Sequence, residues 1–287
     1  MTLTIDAHHH YWQVALQEQA WRTPAHEAIA QDYEPQHLSA ELESAGVDAT
    51  VLVQSVDSSE ENDRLASYAR WSTVAGVVGW LPLEDPLAAR AELARADTGR
   101  WSGVRCLVGK RDLGWLARPD AVRLFADLAD RGLAWDVVPV TSSQVDAVLG
   151  LARAVPQLRI VVDHLARPPI DSSGWEPWAG QLAELAGCPN IALKVSVGID
   201  VLTAWEEWRP EDLKPYVRWA LECFGPSRLL LASNWPVVLL RSSYGQAMND
   251  LVQALADNDL SAAELAEVRG GTALRWYGLR MNEVASA

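Results

Sequence analysis

Short apolar or β-branched runs recur along the chain and alternate with longer stretches of helical period. Eight runs stand out, at residues 3–8, 49–56, 74–83, 103–108, 133–140, 159–165, 191–197 and 228–234. Between them the spacing predicts helices over 35–45, 58–71, 86–96, 119–131, 142–154, 175–186, 204–223, 244–256 and 261–276. Leu38 and Leu42 lie four apart in the first of these. The second opens with a serine and acidic residues, and the last opens on Ser261 with Glu264 three later, a capping box. Strands that alternate with helices imply parallel βαβ units.

Eight such units in 287 residues point to an α/β fold, a single (β/α)8 TIM barrel occupying 1–287. The competing layout, an open doubly wound sheet, calls for a glycine-rich phosphate loop after the first strand. This chain runs into Ala7-His8-His9-His10 there. A barrel of this kind carries its chemistry at the C-terminal strand ends. Polar residues at those ends are therefore the informative ones.

Composition narrows the partners. With 38 acidic and 24 basic side chains the formal charge is −14, which argues against nucleic acid or an anionic membrane surface as partner. No segment reaches the roughly 18 consecutive apolar residues of a membrane helix. Cys106, Cys188 and Cys223 form neither a disulfide framework nor a zinc knuckle and suit a reducing compartment. The first residues show no basic region or cleavage site. The expectation is a cytoplasmic protein. The aromatic content is lopsided, with 14 Trp against 6 Tyr and 2 Phe.

Strand alternation sends His8 and His10 to one face and His9 to the other. Two imidazoles so spaced form half of a metal site, or a pair that polarises a carbonyl; a chance cluster at a strand end is the plainer reading. The sixth run carries Asp163-His164 after the apolar Ile160, Val161 and Val162, a costly place for polar groups without purpose. His164 is a third site imidazole or a satisfied core histidine. The eighth run ends Ser233-Asn234-Trp235-Pro236, a polar pair before a turn.

This ordered set resembles the amidohydrolase superfamily, and within it the lactonase-like branch. The resemblance spans nearly the whole chain. It includes Ile5-Asp6-Ala7-His8, Asp32-Tyr33-Glu34-Pro35, Val53-Gln54, Gly103-Val104-Arg105, Asp163-His164-Leu165-Ala166-Arg167-Pro168 and Lys194-Val195-Ser196. It implies a (β/α)8 barrel that hydrolyses a cyclic ester. It also implies an Asp at the end of the eighth strand as general base and possible ligand. Here Asn234 stands at that position, and an amide carries neither a titratable proton nor a full charge. Either an Asp was replaced to trap a ligand, or the natural protein turned to non-hydrolytic chemistry or binding.

The binuclear members of the superfamily bridge two metals with a lysine on the fourth strand and a histidine on the fifth. Arg105, Cys106, Trp135 and Asp136 occupy those strands here, which argues against two metals. No metal, or a single divalent ion on His8 and His10, with zinc preferred by imidazole, remains.

The expected catalytic set is Asn234, His8, His10 and His164. Arg105 offers a fork for a carboxylate or carbonyl. Lys194, Ser196, Gln54, Trp80 and Asp136 lie at other strand ends as substrate contacts. For Arg105, Lys194 and Asp136 the alternative is an internal ion-pair network. The long connection from Tyr11 to Glu34 holds Trp12, Trp21, Arg22 and His26 and is expected over the site. His26 and His37 are expected at the surface. Trp12, Trp21, Trp80, Trp135 and Trp235 would then form an aromatic rim for a small ring-shaped substrate. Hydrolysis of a lactone is the leading function. The alternatives are a mononuclear-metal decarboxylase or lyase on the same scaffold, and a ligand-binding homologue with native Asn234.

Overall fold

A computed structural model describes residues 3–172 and 174–281. Residues 1–2, 173 and 282–287 of the expected domain lie outside that set.

Eight parallel strands follow one another in chain order: β1 (Ile5–His9), β2 (Ala49–Val53), β3 (Val74–Trp80), β4 (Trp101–Arg105), β5 (Ala134–Val137), β6 (Ile160–Val162), β7 (Ile191–Val195) and β8 (Leu229–Leu231). The seam between β8 and β1 is stitched just above the strands. Asn234 N donates to His8 O at 2.9 Å and His10 N donates to Trp235 O at 2.8 Å. Below it, the buried Asp6 carboxylate accepts from Ser233 N at 2.9 Å, Ser233 Oγ at 2.6 Å and Tyr244 OH at 3.2 Å. The backbone that bears the candidate chemistry is thus the backbone that closes the barrel.

Helices α1 (Pro35–Ala45), α2 (Ser59–Tyr68), α3 (Pro86–Arg95), α4 (Pro119–Asp130), α5 (Ser142–Ala154) and α6 (Trp178–Ala186) follow the first six strands. After β7 come α7 (Ile199–Ala204) and α8 (Pro210–Phe224), and after β8 comes α9 (Tyr244–Ala256). Side-chain caps start several of them, with Ser58 accepting from Glu61 N and Asp85 from Leu87 N and Ala88 N. In α4 the buried Ala121, Leu124, Phe125 and Leu128 repeat at helical spacing and face the barrel.

Two expected helices are corrected. The stretch 204–223 does not begin at Ala204. Residues 205–209 break it, because Pro210 disfavours a helical residue before it and itself opens α8. The stretch 261–276 divides into α10 (Ala262–Ala266), a π turn (Glu267–Gly271) and α11 (Thr272–Tyr277). Gly270 presses against Leu3, whose carbonyl oxygen would lie 2.6 Å from any Cβ there. The last helix thereby swings beneath the barrel.

Apolar side chains form two clusters. A large one fills the space between strands and helices, with Leu52, Phe125, Trp135, Leu193 and Leu231 among its members. The second fills the lumen, with Ile5, Ala7, Val51, Val53, Val161 and Leu230, and is closed from below by Ala273, Trp276 and Tyr277. Ile5 and Ala7 face that lumen, whereas Asp6 bonds outward to Ser233 and Tyr244. Strict alternation would then turn His8 outward with Asp6. The register between β1 and β2 shifts between Asp6 and His9, and this bulge returns His8 and His10 to the inner side.

Candidate active site

The floor of the site is a buried polar network assembled from six strand ends. Lys194 Nζ, at the end of β7, reaches Asp136 Oδ2 at 2.6 Å, Asp163 Oδ1 at 2.9 Å and His8 Nδ1 at 2.9 Å. It hydrogen-bonds Asp136 and His8 and is ion-paired to Asp163. Arg105 Nη1 donates to Asp163 Oδ2 at 3.0 Å, and its Nη2 donates to Gln54 O at 2.7 Å. Tyr277 OH, rising from α11, donates to Asp136 Oδ2 at 2.7 Å. Two cations face two carboxylates, so the network is electrically balanced when the imidazoles are neutral.

Hydrogen bonds orient the imidazoles. His10 Nδ1–H donates to Val53 O at 2.8 Å, which leaves a lone pair on Nε2. His8 is met on both ring nitrogens: Lys194 Nζ and Asp163 Oδ1 lie 2.9 and 3.4 Å from Nδ1, and His10 Nε2 and Arg105 Nη1 lie 3.1 and 3.5 Å from Nε2. His164 Nδ1 lies 2.9 Å from Ser196 Oγ. Burial, then the Lys194 charge, holds His8 well below the usual histidine range. Burial, then Arg105, does the same for His10, and burial lowers His164 to about 4. All three are neutral bases at neutral pH. Burial raises Asp136 to about 6 against the pull of Lys194. Burial also opposes ionisation of Asp163, but Lys194, His8 and Arg105 draw it well below the carboxylate range.

A cavity of about 220 Å³ opens above this floor. Of the expected site residues it is lined by His10, Arg105, His164 and Asn234. His8 lies fully buried one layer below, against His10 and His164. Lys194 and Asp136 are also fully buried, in the ion-pair network that was the alternative reading for them. Ser196 acts on His164 from behind. The Gln54 side chain turns to Asp57, at 3.0 Å.

The aromatic rim is corrected. Only Trp21 of that set lines the cavity, with its indole N–H on Ser55 O at 2.9 Å. Trp12 is buried with its N–H on Gln31 O. Trp235 packs between Tyr11 and Tyr33, Trp135 packs on Phe125, and Trp80 faces a neighbouring cavity with Trp115. His37 is exposed as expected. His26 is corrected from surface to buried, because its Nε2 meets Thr203 Oγ1 at 2.9 Å. With Trp21 held by Ser55 and His26 by Thr203, the long first loop roofs the cavity from β2 to α7.

Sequence reasoning missed Arg167, Asp200 and Ser55 as lining residues. Arg167 Nε and Asp200 Oδ2 pair at 3.0 Å. Arg167 was visible within the Asp163–Pro168 stretch, but nothing marked its direction. That direction comes from His164, Leu165, Ala166 and Arg167, which all adopt positive φ, between 51° and 57°. Trp178 N–H clamps this left-handed turn at Leu165 O, 2.8 Å away.

Asn234 also has a positive φ, 58°, a region that Asn tolerates better than most residues. Its Nδ2 donates to Val197 O at 2.8 Å. A carboxylate in the same pose would meet that carbonyl oxygen without a proton between them. For a divalent metal, the expected His8/His10 pair is in contact. Among the described residues the group of three donors that could hold an ion is instead His8, Asp163 and His164, whose ligand atoms lie within 4.8 Å of one another. Neutral imidazoles and an ionised carboxylate are a donor set that fits such an ion.

The family model described as amidohydrolase matches residues 5–279. The chain is 37% identical to an L-fucono-1,5-lactonase of Burkholderia ambifaria over 96% of both chains. It is 32% identical to an L-fucono-1,5-lactonase of Burkholderia multivorans, again over 96% of both. A crystal structure of a Burkholderia multivorans amidohydrolase with bound zinc superposes with a TM-score of 0.87 and 30% identity, covering 97% of this chain and all of that one. A match across the whole barrel, together with an imidazole cluster at its strand ends, establishes that this chain belongs to the amidohydrolase family and is a hydrolase by kinship.

Proposed function

We propose that this protein opens the ring ester of a small lactone, with a sugar-type 1,5-lactone as the first substrate class to test. The observation that carries the reading is the cavity itself. His10, Arg105, His164 and Asn234 converge on it over a balanced ionic floor, in a chain related end to end to lactonases. Arg105, held by Asp163 and by Gln54 O, presents a fixed positive charge to the lactone carbonyl and to the oxyanion that forms on it. Trp21 and the roofing loop restrict water to the cavity. A divalent ion held by His8, Asp163 and His164, zinc by imidazole preference, would add Lewis-acid polarisation of the same carbonyl.

Water activation is the weak point of this chain. An amide at 234 accepts no proton, and the neutral imidazoles that remain are poor bases in their buried state. Replacing Asn234→Asp is therefore expected to raise kcat/KM on a suitable lactone by about 100-fold or more. Lactone opening followed by proton release on a panel of sugar lactones and pyrones reads this directly. No gain on any of them counts against hydrolysis.

One observation favours a second reading. The Asn234 amide is fitted to Val197 O in a way a carboxylate is not, which suits a protein that binds its ligand without turning it over. Tight binding of a lactone by the unaltered chain, with no turnover before or after the Asp substitution, would establish that reading. The three cysteines stand as free thiols, which supports the expected cytoplasmic setting. No described helix is long and apolar enough to cross a membrane.

A further inference from the structure

The deepest member of the polar floor comes from the C-terminal helix rather than from a βα loop. Tyr277 enters the lumen from below, within the apolar plug that it forms with Ala273 and Trp276. A residue at that end of a barrel ordinarily serves stability alone. Two contacts set Tyr277 apart. Its hydroxyl donates to Asp136 Oδ2, the same oxygen that takes Lys194. Its ring centroid lies 5.5 Å from the Lys194 ammonium. One side chain thus touches both members of the ion pair that donates to His8. Asp136 Oδ1 has no hydrogen-bond partner among the described residues, so Tyr277 and Lys194 are what orient this carboxylate.

We propose that Tyr277 is a positioning residue, acting through the Asp136–Lys194 pair to hold the His8 ring in place beneath His10 and His164. The reaction it serves is the lactone hydrolysis proposed above, and the inference rests on that reading. Without the hydroxyl the Asp136 carboxylate is free to turn, and the ammonium follows it. His8 Nδ1 then loses its 2.9 Å contact to Lys194, and the imidazole beneath His10 and His164 is free to turn.

Two variants separate positioning from packing. Tyr277→Phe keeps the ring beneath Lys194 and removes only the hydroxyl, whereas Tyr277→Leu removes both contacts. With a lactone as substrate, kcat is expected to fall about tenfold in the Phe variant and further in the Leu variant. KM is expected to hold, and the Phe variant to stay fully folded at the assay temperature with a modestly lower Tm. An unchanged kcat in Tyr277→Phe overturns the proposal, as does a loss of rate that only tracks a loss of Tm. If the unaltered chain opens no lactone, the hydrolysis reading fails, and the positioning role is then read from the His8 nitrogen-15 resonances. Displaced His8 ring resonances in Tyr277→Phe support it, and identical spectra sink it.

Discussion

At position 234 and at Lys194 a few atoms decide what the rest of the site can do. An Asp and an Asn differ by one heavy atom in kind, yet only one of them takes a proton from water. The amide here also donates a hydrogen bond to Val197 O, a contact a carboxylate in that pose could not make. Lys194 shows the complementary case. Its ammonium is fully buried and joins Asp136, Asp163 and His8. Replacing Lys194→Met is expected to lower stability by roughly 3–5 kcal/mol, because Asp136 loses its buried counter-charge and Asp163 keeps only Arg105. Urea unfolding checks this. A loss below about 1 kcal/mol, the size of an exposed pair, would show that the network is far better solvated than its burial implies. The sequence named Lys194, Asp136 and Arg105 but left open whether they meet substrate or one another. The structure places Arg105 at the cavity and the other two beneath it.

Two elements, the left-handed turn at His164–Arg167 and the first long loop, turn a generic barrel into this site. Four successive non-glycine residues at positive φ carry about 1–2 kcal/mol of strain each. The turn is held by Arg167 N on His164 O at 2.8 Å and by the Trp178 clamp. It aims His164 and Arg167 into one cavity. Ala166→Gly is expected to relieve part of this strain. The net gain is about 1 kcal/mol after the entropy cost of glycine, a rise in Tm of about 2 °C. A calorimetric scan that finds Ala166→Gly less stable would show that the surrounding packing, not the dihedral, sets the energy there. The loop from Tyr11 to Glu34 was legible as a lid from its length alone. That His26 would be buried on Thr203 was not, because the partner lies 177 residues away.

The whole molecule responds to pH through its buried imidazoles. His9 lies outside the lumen, bonded to Thr50 Oγ1 at 2.9 Å, and burial lowers it to about 3. The unfolded chain protonates this residue near pH 6.5 while the folded chain does not. Its contribution to stability is therefore complete above that pH and is lost as pH falls from 6.5 toward 3. His8, His10 and His164 act in the same direction, and the raised Asp136 opposes them below about 6. The protein is expected to lose stability on acidification from pH 7.5 to 5.5. In His9→Gln the total loss across that range should be smaller by about 1.4 kcal/mol, because the unfolded imidazole takes up most of one proton between those two pH values. Parallel slopes for the two proteins would contradict the shift at His9. By itself the sequence determined the eightfold strand–helix repeat, the absence of a phosphate loop, the HxH strand and the family resemblance. Periodicity and short motifs are properties of neighbouring residues, and they survive without knowledge of the rest of the chain. Only the tertiary structure decided that Lys194 meets His8 across 186 residues and that a β-bulge turns His8 inward past Asp6. It alone placed Tyr277 beneath Asp136 and left the tryptophan rim with Trp21. Those contacts exist once closure of the barrel brings strand ends far apart in the chain onto one face.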